Sequence, residues 1–244
     1  MQFDIENIVL GVRRSDYLSL SKCISFIENQ QEGSAGFVSN LKPSPIPVVG
    51  ITGPPGAGKS TLIAAMIRNL VALEKKVAVL SVDPSSVIHN GALLGDRIRM
   101  RDWYLHPLVY IRSLASRGHL GGLVKDIESI VTLLKSAGFD FVILETVGVG
   151  QSEVQVVKVA SPTILVLVPE AGDDIQMMKS GLFEVANIFV VNKSDRPEAA
   201  KFVNHLRQAL DERVGVKCDL VQTIANAGEG VDELLSIINN YHEH

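Results

Sequence analysis

The segment GPPGAGKS, Gly53 to Ser60, constrains this chain more than any other, because it lies directly between an apolar β-branched run, VVGIT, and an apolar helix-forming stretch, TLIAAMIRNLVALEKK. It matches G-x-x-x-x-G-K-[ST] in the strand, loop, helix order that the chemistry of this motif requires. Glycines let the backbone fold around a phosphate with its N–H groups pointing inward, and the helix N-terminus adds positive potential. Lys59 is expected to reach the β and γ oxygens and the Ser60 hydroxyl to ligate Mg²⁺, while Gly53, Pro54, Pro55, Gly56, Ala57, Gly58 and Thr61 complete the loop.

The same alternation continues along the chain. VVGIT, VAVLSVD, LVYIRS, FVILET, TILVLVP, NIFVVNK and DLVQTIA are strand candidates separated by helical stretches. Continuous apolar runs suit strands buried on both faces, and their alternation with helices implies right-handed crossovers and a mostly parallel sheet flanked by helices. The expected fold class is therefore α/β of the P-loop NTPase kind. Ligands of such sheets bind at the carboxyl ends of the strands, where all the motifs fall.

Upstream, Tyr17, Leu20, Ile24 and Ile27 recur at helical spacing between Ser15 and Gln30, with Ser15 as the expected N-cap. The following EGSAGFVSNLKPSPIP, rich in Gly, Ser and Pro, reads as a linker. The expected organisation is an N-terminal helix and linker over 1–40 and a P-loop GTPase domain over 41–244.

A second motif selects the base. Asn192, Lys193 and Asp195 form NKSD after NIFVV. Guanine offers N1–H and N2–H₂ donors to a carboxylate, whereas adenine presents a lone pair at N1 that an Asp195 oxygen repels. Charge-assisted bonds of this kind contribute about 1.5–3 kcal/mol each, enough to choose between the nucleotides. Asn192 is expected at the base N7 and the Lys193 stem over the ring, with the loop around Ala225 and Asn226 supplying backbone contacts to the guanine O6. Read alone, NKSD also fits a helix-cap turn; the phosphate loop upstream is what makes it a base reader.

Asp83 ends VAVLSVD and Glu145 ends FVILE, so both carboxylates are expected beside the phosphate loop. With Ser60 they make a sufficient Mg²⁺ site, since this cation takes oxygen ligands and keeps several waters. Strand capping is the plainer alternative for either acid. Gly148 is where a backbone N–H meets the γ-phosphate, so that its release on hydrolysis frees the loop.

Composition sets the remaining bounds. The 244 residues are 46% hydrophobic and carry a net charge of −4, which gives no basic footprint for nucleic acid. The only cysteines, Cys23 and Cys218, have no metal-like spacing, and no apolar run reaches membrane-spanning length. The expectation is a cytoplasmic protein without a membrane or nucleic-acid partner.

Four loops narrow the class: DPSSVIHNGALLGDRIRM from Asp83, SRGHLGGL from Ser116, ETVGVGQSE from Glu145 and EAGDDIQMMKSG from Glu170. With them the chain, from about Ser15 to Asn240, resembles the MeaB/ArgK/MMAA family, GTPase chaperones of adenosylcobalamin-dependent acyl-CoA mutases with the SIMIBI-type arrangement. The resemblance implies a GTP-timed gate on adenosylcobalamin loading and protection for methylmalonyl-CoA mutase or a related isomerase, with an adenosyltransferase as a second candidate partner and no tightly bound cobalamin. It matches Asp83, Asp96 and Glu145, with Lys59, to magnesium and catalytic positions. Asp173, Asp174 and Lys179 fall in a switch loop coupled to the mutase, and Gln151 either positions water or serves that surface. Longer members dimerise through a C-terminal arm; with the present chain ending at YHEH, the expectation is another homodimer or a compact monomer. Two other classes share the nucleotide chemistry: a metal-insertion GTPase, which calls for a Cys/His cargo cluster, and a P-loop small-molecule kinase, a label ArgK-type proteins have carried.

Overall fold

The computed structural model describes residues 3–83, 100–115, 120–146, 154–155, 157–169, 181–212 and 218–243. Each expected strand is present: β1 (Val48–Thr52), β2 (Val77–Asp83), β3 (Val109–Ala115), β4 (Phe141–Thr146), β5 (Thr163–Leu167), β6 (Ile188–Asn192) and β7 (Asp219–Thr223). They form one seven-stranded sheet in the order β3-β2-β4-β1-β5-β6-β7. Every pairing between neighbours is parallel. The burial of β1, β4, β5 and β6 is unbroken along their lengths, as strands covered on both faces require.

The helices that frame the sheet are α1 (Ile5–Arg13), α2 (Leu18–Glu28), α3 (Ser34–Ser39), α4 (Lys59–Ala72), α5 (Leu120–Ser136), α6 (Gly181–Val185), α7 (Ala199–Asp211) and α8 (Val231–Glu243). On one face, Leu62, Ile63 and Met66 of α4 and Val231, Leu234 and Ile238 of α8 pack with Val49, Ile51, Val79, Ile143 and Val190. On the other face, α1, α2 and α5 cover Ala78, Leu80, Val142 and Leu144, while α6 and α7 cover Leu165, Leu167, Phe189 and Val191. Each fully buried Leu, Ile or Phe in these layers contributes roughly 1.5–3 kcal/mol.

The N-terminal region departs from expectation. Helix α1 was not foreseen, although its signal is present: Asp4 caps it by accepting from the Glu6 amide at 3.0 Å, and Ile8 and Val12 are buried one turn apart. Ser15 does not cap α2. It sits in the left-handed region at φ 61, and the Asp16 carboxylate accepts from the Leu18 amide instead. The Gly/Ser-rich stretch is not a bare linker either, because α3 forms within it and Phe37, Val38, Leu41 and Ile46 pack against the core beneath α1 and α2. Four apolar residues at packing distance outweighed the breaker composition.

The chain steps from β1 to β2 and β3, returns with β4 between β2 and β1, and then continues on the far side with β5. Strand order therefore reverses at β1, and the crevice at its carboxyl end is the position where open parallel sheets bind ligands.

Candidate functional site

Gly53 to Gly58 leave β1 and lead straight into α4, whose first residues are Lys59 and Ser60. Both are buried, at 8% and 4% exposure. The Lys59 ammonium donates to the Gly53 carbonyl at 2.8 Å and the Pro54 carbonyl at 3.1 Å, which fixes its stem along the loop. Two glycines have no substitute here. Gly53 adopts φ 142 with the Val166 carbonyl of β5 against its α-carbon, and Gly58 adopts φ 88 with the Asn192 amide nitrogen where a Cβ would stand.

That contact joins the two nucleotide motifs. Asn192, the last residue of β6, is 2% exposed and donates from Nδ2 to the Ala57 carbonyl at 2.9 Å. Its Oδ1 accepts from the Thr223 hydroxyl and from the Ala225 amide, each at 3.1 Å. Lys193 takes the left-handed conformation at φ 57 and donates from Nζ to the Gly56 carbonyl at 2.9 Å. The Ser194 hydroxyl donates back to the Val191 carbonyl, and its amide donates to the Thr223 carbonyl. Asp195 and Asn226 are exposed at the rim of the same constellation. Phosphate loop, NKSD turn and the loop after β7 are thus one bonded unit.

Glu145, 1% exposed near the end of β4, accepts from the Ser60 hydroxyl on Oε1 and from the Ser81 hydroxyl on Oε2, both at 3.2 Å. Two buried hydroxyls, Thr52 and Thr146, have no hydrogen-bond partner among the described residues and stand one residue before Gly53 and one after Glu145. The hard oxygen donors gathered at the loop, the Ser60 hydroxyl and the Glu145 carboxylate, fit a small divalent cation of the Mg²⁺ type. Asp83 closes β2, two residues beyond Ser81; its side chain lies outside what is described.

Asp96, Gly148, Gln151, Asp173, Asp174 and Lys179 lie outside the described residues. Among the described residues, no group of three or more His, Cys, Asp or Glu lies together as a metal cluster. No helix among them is long and apolar enough to cross a membrane. Ser81 and Thr223 were missed by sequence reasoning; their signal is a lone hydroxyl, inside the apolar run VAVLSV for Ser81 and at the end of DLVQT for Thr223.

The comparisons agree with this architecture. A GTPase-described protein of Pyrococcus horikoshii is 41% identical over 245 residues, covering 97% of this chain and 77% of that protein. The solved structure of a LAO/AO transport system kinase superposes with TM-score 0.76 at 24% identity, covering 99% of this chain and 76% of its own. The hydrogenase maturation factor HypB from Archaeoglobus fulgidus shares the fold at TM-score 0.60 and 18% identity, covering 91% of this chain and 99% of its own. The family model described as methylmalonyl Co-A mutase-associated GTPase MeaB matches residues 20–244, and the chain belongs to that family of GTPases.

Proposed function

We propose that this GTPase is a Mg²⁺-dependent switch that couples guanine-nucleotide state to an adenosylcobalamin-dependent acyl-CoA mutase, gating cofactor loading and protecting the loaded enzyme. The observation that carries the nucleotide half is the Asn192 bridge, which locks the base-reading turn to the phosphate loop through Ala57. A base and a phosphate tail of one ligand are then read by a single rigid unit. The mutase half rests on the family description and on the four loops that resemble mutase chaperones.

In this reading Gly53, Pro54, Pro55, Gly56, Ala57, Gly58, Lys59, Ser60 and Thr61 hold the phosphates and Gly148 meets the γ-phosphate. Ser60, Asp83 and Glu145 would hold Mg²⁺, directly or through water. When bound, the cation supplies charge neutralisation at the β and γ oxygens. Lys59, Asp83, Asp96 and Glu145 form the hydrolytic machinery, and Asn192, Lys193 and Asp195 read guanine. The Ala225 amide already donates to Asn192 and the Ala227 amide to the Ile224 carbonyl, so the O6 contact falls to the amide of Asn226. Gln151, Asp173, Asp174 and Lys179 relay nucleotide state to the mutase, which keeps the cobalamin. A homodimer, an adenosyltransferase as further partner and a cytoplasmic setting belong to the same proposal, the last resting on two free thiols.

The test mixes the purified chain with a cobalamin-dependent acyl-CoA mutase and follows complex formation and GTP hydrolysis. The expected outcome is a nucleotide-dependent complex and faster hydrolysis; neither one appearing would remove the mutase half. Asp195→Asn tests the base reader separately. It is expected to shift preference from GTP toward xanthosine triphosphate, because the new amide donates to the oxygen that xanthine carries at C2, and unchanged selectivity would sink that assignment.

A further inference from the structure

The N-terminal layer holds a cavity of about 670 Å³ that no residue of the nucleotide motifs lines. It opens between the start of α1, the end of α2 and α3, and its apolar wall is Phe3, Ile5, Phe26, Phe37 and Leu41. The Phe3 ring lies 5.1 Å from that of Phe26 and 6.3 Å from that of Phe37 between centroids, tilted by 45° and 60°, so the rings form a bent wall and not a flat stack. Phe26 is buried, while Phe3, Ile5, Phe37 and Leu41 keep part of their surface exposed. Small-molecule sites fall in the range of roughly 300–1,000 Å³, with an apolar lining and a few polar groups that fix orientation.

Gly36 of α3 lines the same cavity, and a Cβ built on it would meet no neighbouring group within 4 Å. A glycine inside a helix costs stability relative to alanine, and neither a left-handed φ nor a close neighbour requires one here. What the missing side chain preserves is room. The polar lining sets the sign of the occupant: Asp4 and Glu32 bring carboxylates, and among the described residues no lysine, arginine or histidine lines the cavity. Lys42, next to Leu41, is exposed and stands outside that lining. Asp4 is held in place, because Oδ1 accepts from the Glu6 amide and Oδ2 from the Asn7 side-chain amide, each at 3.0 Å, and each carboxylate oxygen keeps a further lone pair. Phenyl faces attract a cation through the ring quadrupole as well. The same acids repel a phosphate-bearing ligand, so the cavity is not a second nucleotide site.

We infer that this cavity binds a small organic cation, an ammonium on an apolar body, with the body against Phe3, Phe26 and Phe37 and the ammonium at the Asp4 and Glu32 carboxylates. An amine with an aromatic body satisfies both walls. A neutral ligand of the same shape satisfies only the apolar one, and an anion is opposed by the acids. The inference is independent of the proposed GTPase function, since no residue of the cavity belongs to the phosphate loop, the Mg²⁺ site or the NKSD turn.

The experiment titrates the full chain with three isosteres, 3-phenylpropylamine, 3-phenylpropanol and 3-phenylpropanoate, followed by saturation-transfer NMR. The amine is expected to bind about fivefold or more tighter than the alcohol, with the gap narrowing as salt rises, and the carboxylate is expected to give no transfer. Gly36→Leu, which fills the cavity from an open helical position, should abolish transfer from the amine with Tm unchanged. The double variant Asp4→Asn, Glu32→Gln removes both charges, keeps a good N-cap on α1, and should make amine and alcohol bind alike. No transfer from the amine to wild type would overturn the inference, as would amine binding that survives Gly36→Leu or an amine preference that survives the double variant. Equal binding of all three isosteres to wild type would overturn it too, and would make the face an apolar docking surface for another occupant. Should Gly36→Leu fail to fold, the three isosteres on wild type and on the double variant still decide.

Discussion

A buried lysine is costly unless its charge is met, and the Lys59 ammonium, at 8% exposure, donates to the carbonyls of Gly53 and Pro54. Carbonyls are acceptors of modest strength, so an anionic phosphate reaching the loop is the stronger partner for the ammonium. Lys59→Ala is therefore expected to lower GDP affinity by about ten- to a hundredfold, since it removes a charge-assisted contact worth about 1.5–3 kcal/mol. The two carbonyls it leaves cost about 1–3 kcal/mol, a fall of a few degrees in Tm that a chain of this size survives. Calorimetric titration with GDP beside a melting curve checks both parts. A variant with wild-type affinity would remove the phosphate-loop assignment. Asn192 is the counterpart on the base side: its amide bonds on both ends are met, to Ala57 and to Thr223 and Ala225, so one side chain sets the distance between the two halves of the site.

Helix α2 shows how the N-terminal layer is held onto the edge of the sheet. Arg112 of edge strand β3 donates to the Glu28 carboxylate and to the Ser25 hydroxyl at 3.0 Å, while its Nε is buried without a partner among the described residues. Tyr17 donates to the Pro107 carbonyl at 2.7 Å, and Lys76 donates to the Val12 carbonyl at the end of α1 at 2.7 Å. Burial lowers the pKa of Lys76, with Asp140 opposing the shift. Glu28→Ala leaves the part-buried guanidinium without its carboxylate and with the Ser25 hydroxyl alone, and is expected to destabilise the fold by about 1–3 kcal/mol, discounted from the fully buried case, with GDP affinity unchanged. Urea unfolding of the variant gives the first number and titration the second; a coupled loss of GDP binding would assign α2 to the site. What was legible in the sequence follows the same division. Strands β1 to β7 and the GPPGAGKS and NKSD motifs were readable because their signals are local: an apolar run, a glycine pattern, a position after a strand. Helices α1 and α3 were not, because Ile8, Val12, Phe37 and Leu41 become core residues only when the sheet face they cover exists. Ser81 and Thr223 were hidden for a related reason, as their partners Glu145 and Asn192 lie on neighbouring strands far along the chain.

At the scale of the molecule, one sheet backs all three apolar clusters, and β1, from which the phosphate loop leaves, contributes to the cluster on the α4 face and, through Val48, to the one beneath α1 and α2. The NKSD turn leaves β6, and its Asn192 is bonded to the loop that leaves β1, so on the proposed reading the nucleotide spans strands from both halves of the sheet. A ligand held this way stabilises the whole cooperative unit and not one edge of it. Linkage gives about 2.7 kcal/mol at a free ligand concentration one hundred times Kd. With about 2–4 °C per kcal/mol for a chain of this length, Mg·GDP is expected to raise Tm by roughly 5–10 °C in a single transition. Mg·ADP at the same concentration should leave Tm unmoved, because its N1 lone pair faces the Asp195 carboxylate. Differential scanning calorimetry with each nucleotide distinguishes the outcomes. Equal shifts from both would break the link between Asp195 and guanine, and a GDP-induced split into two transitions would show that the N-terminal layer and the nucleotide site unfold as separate units.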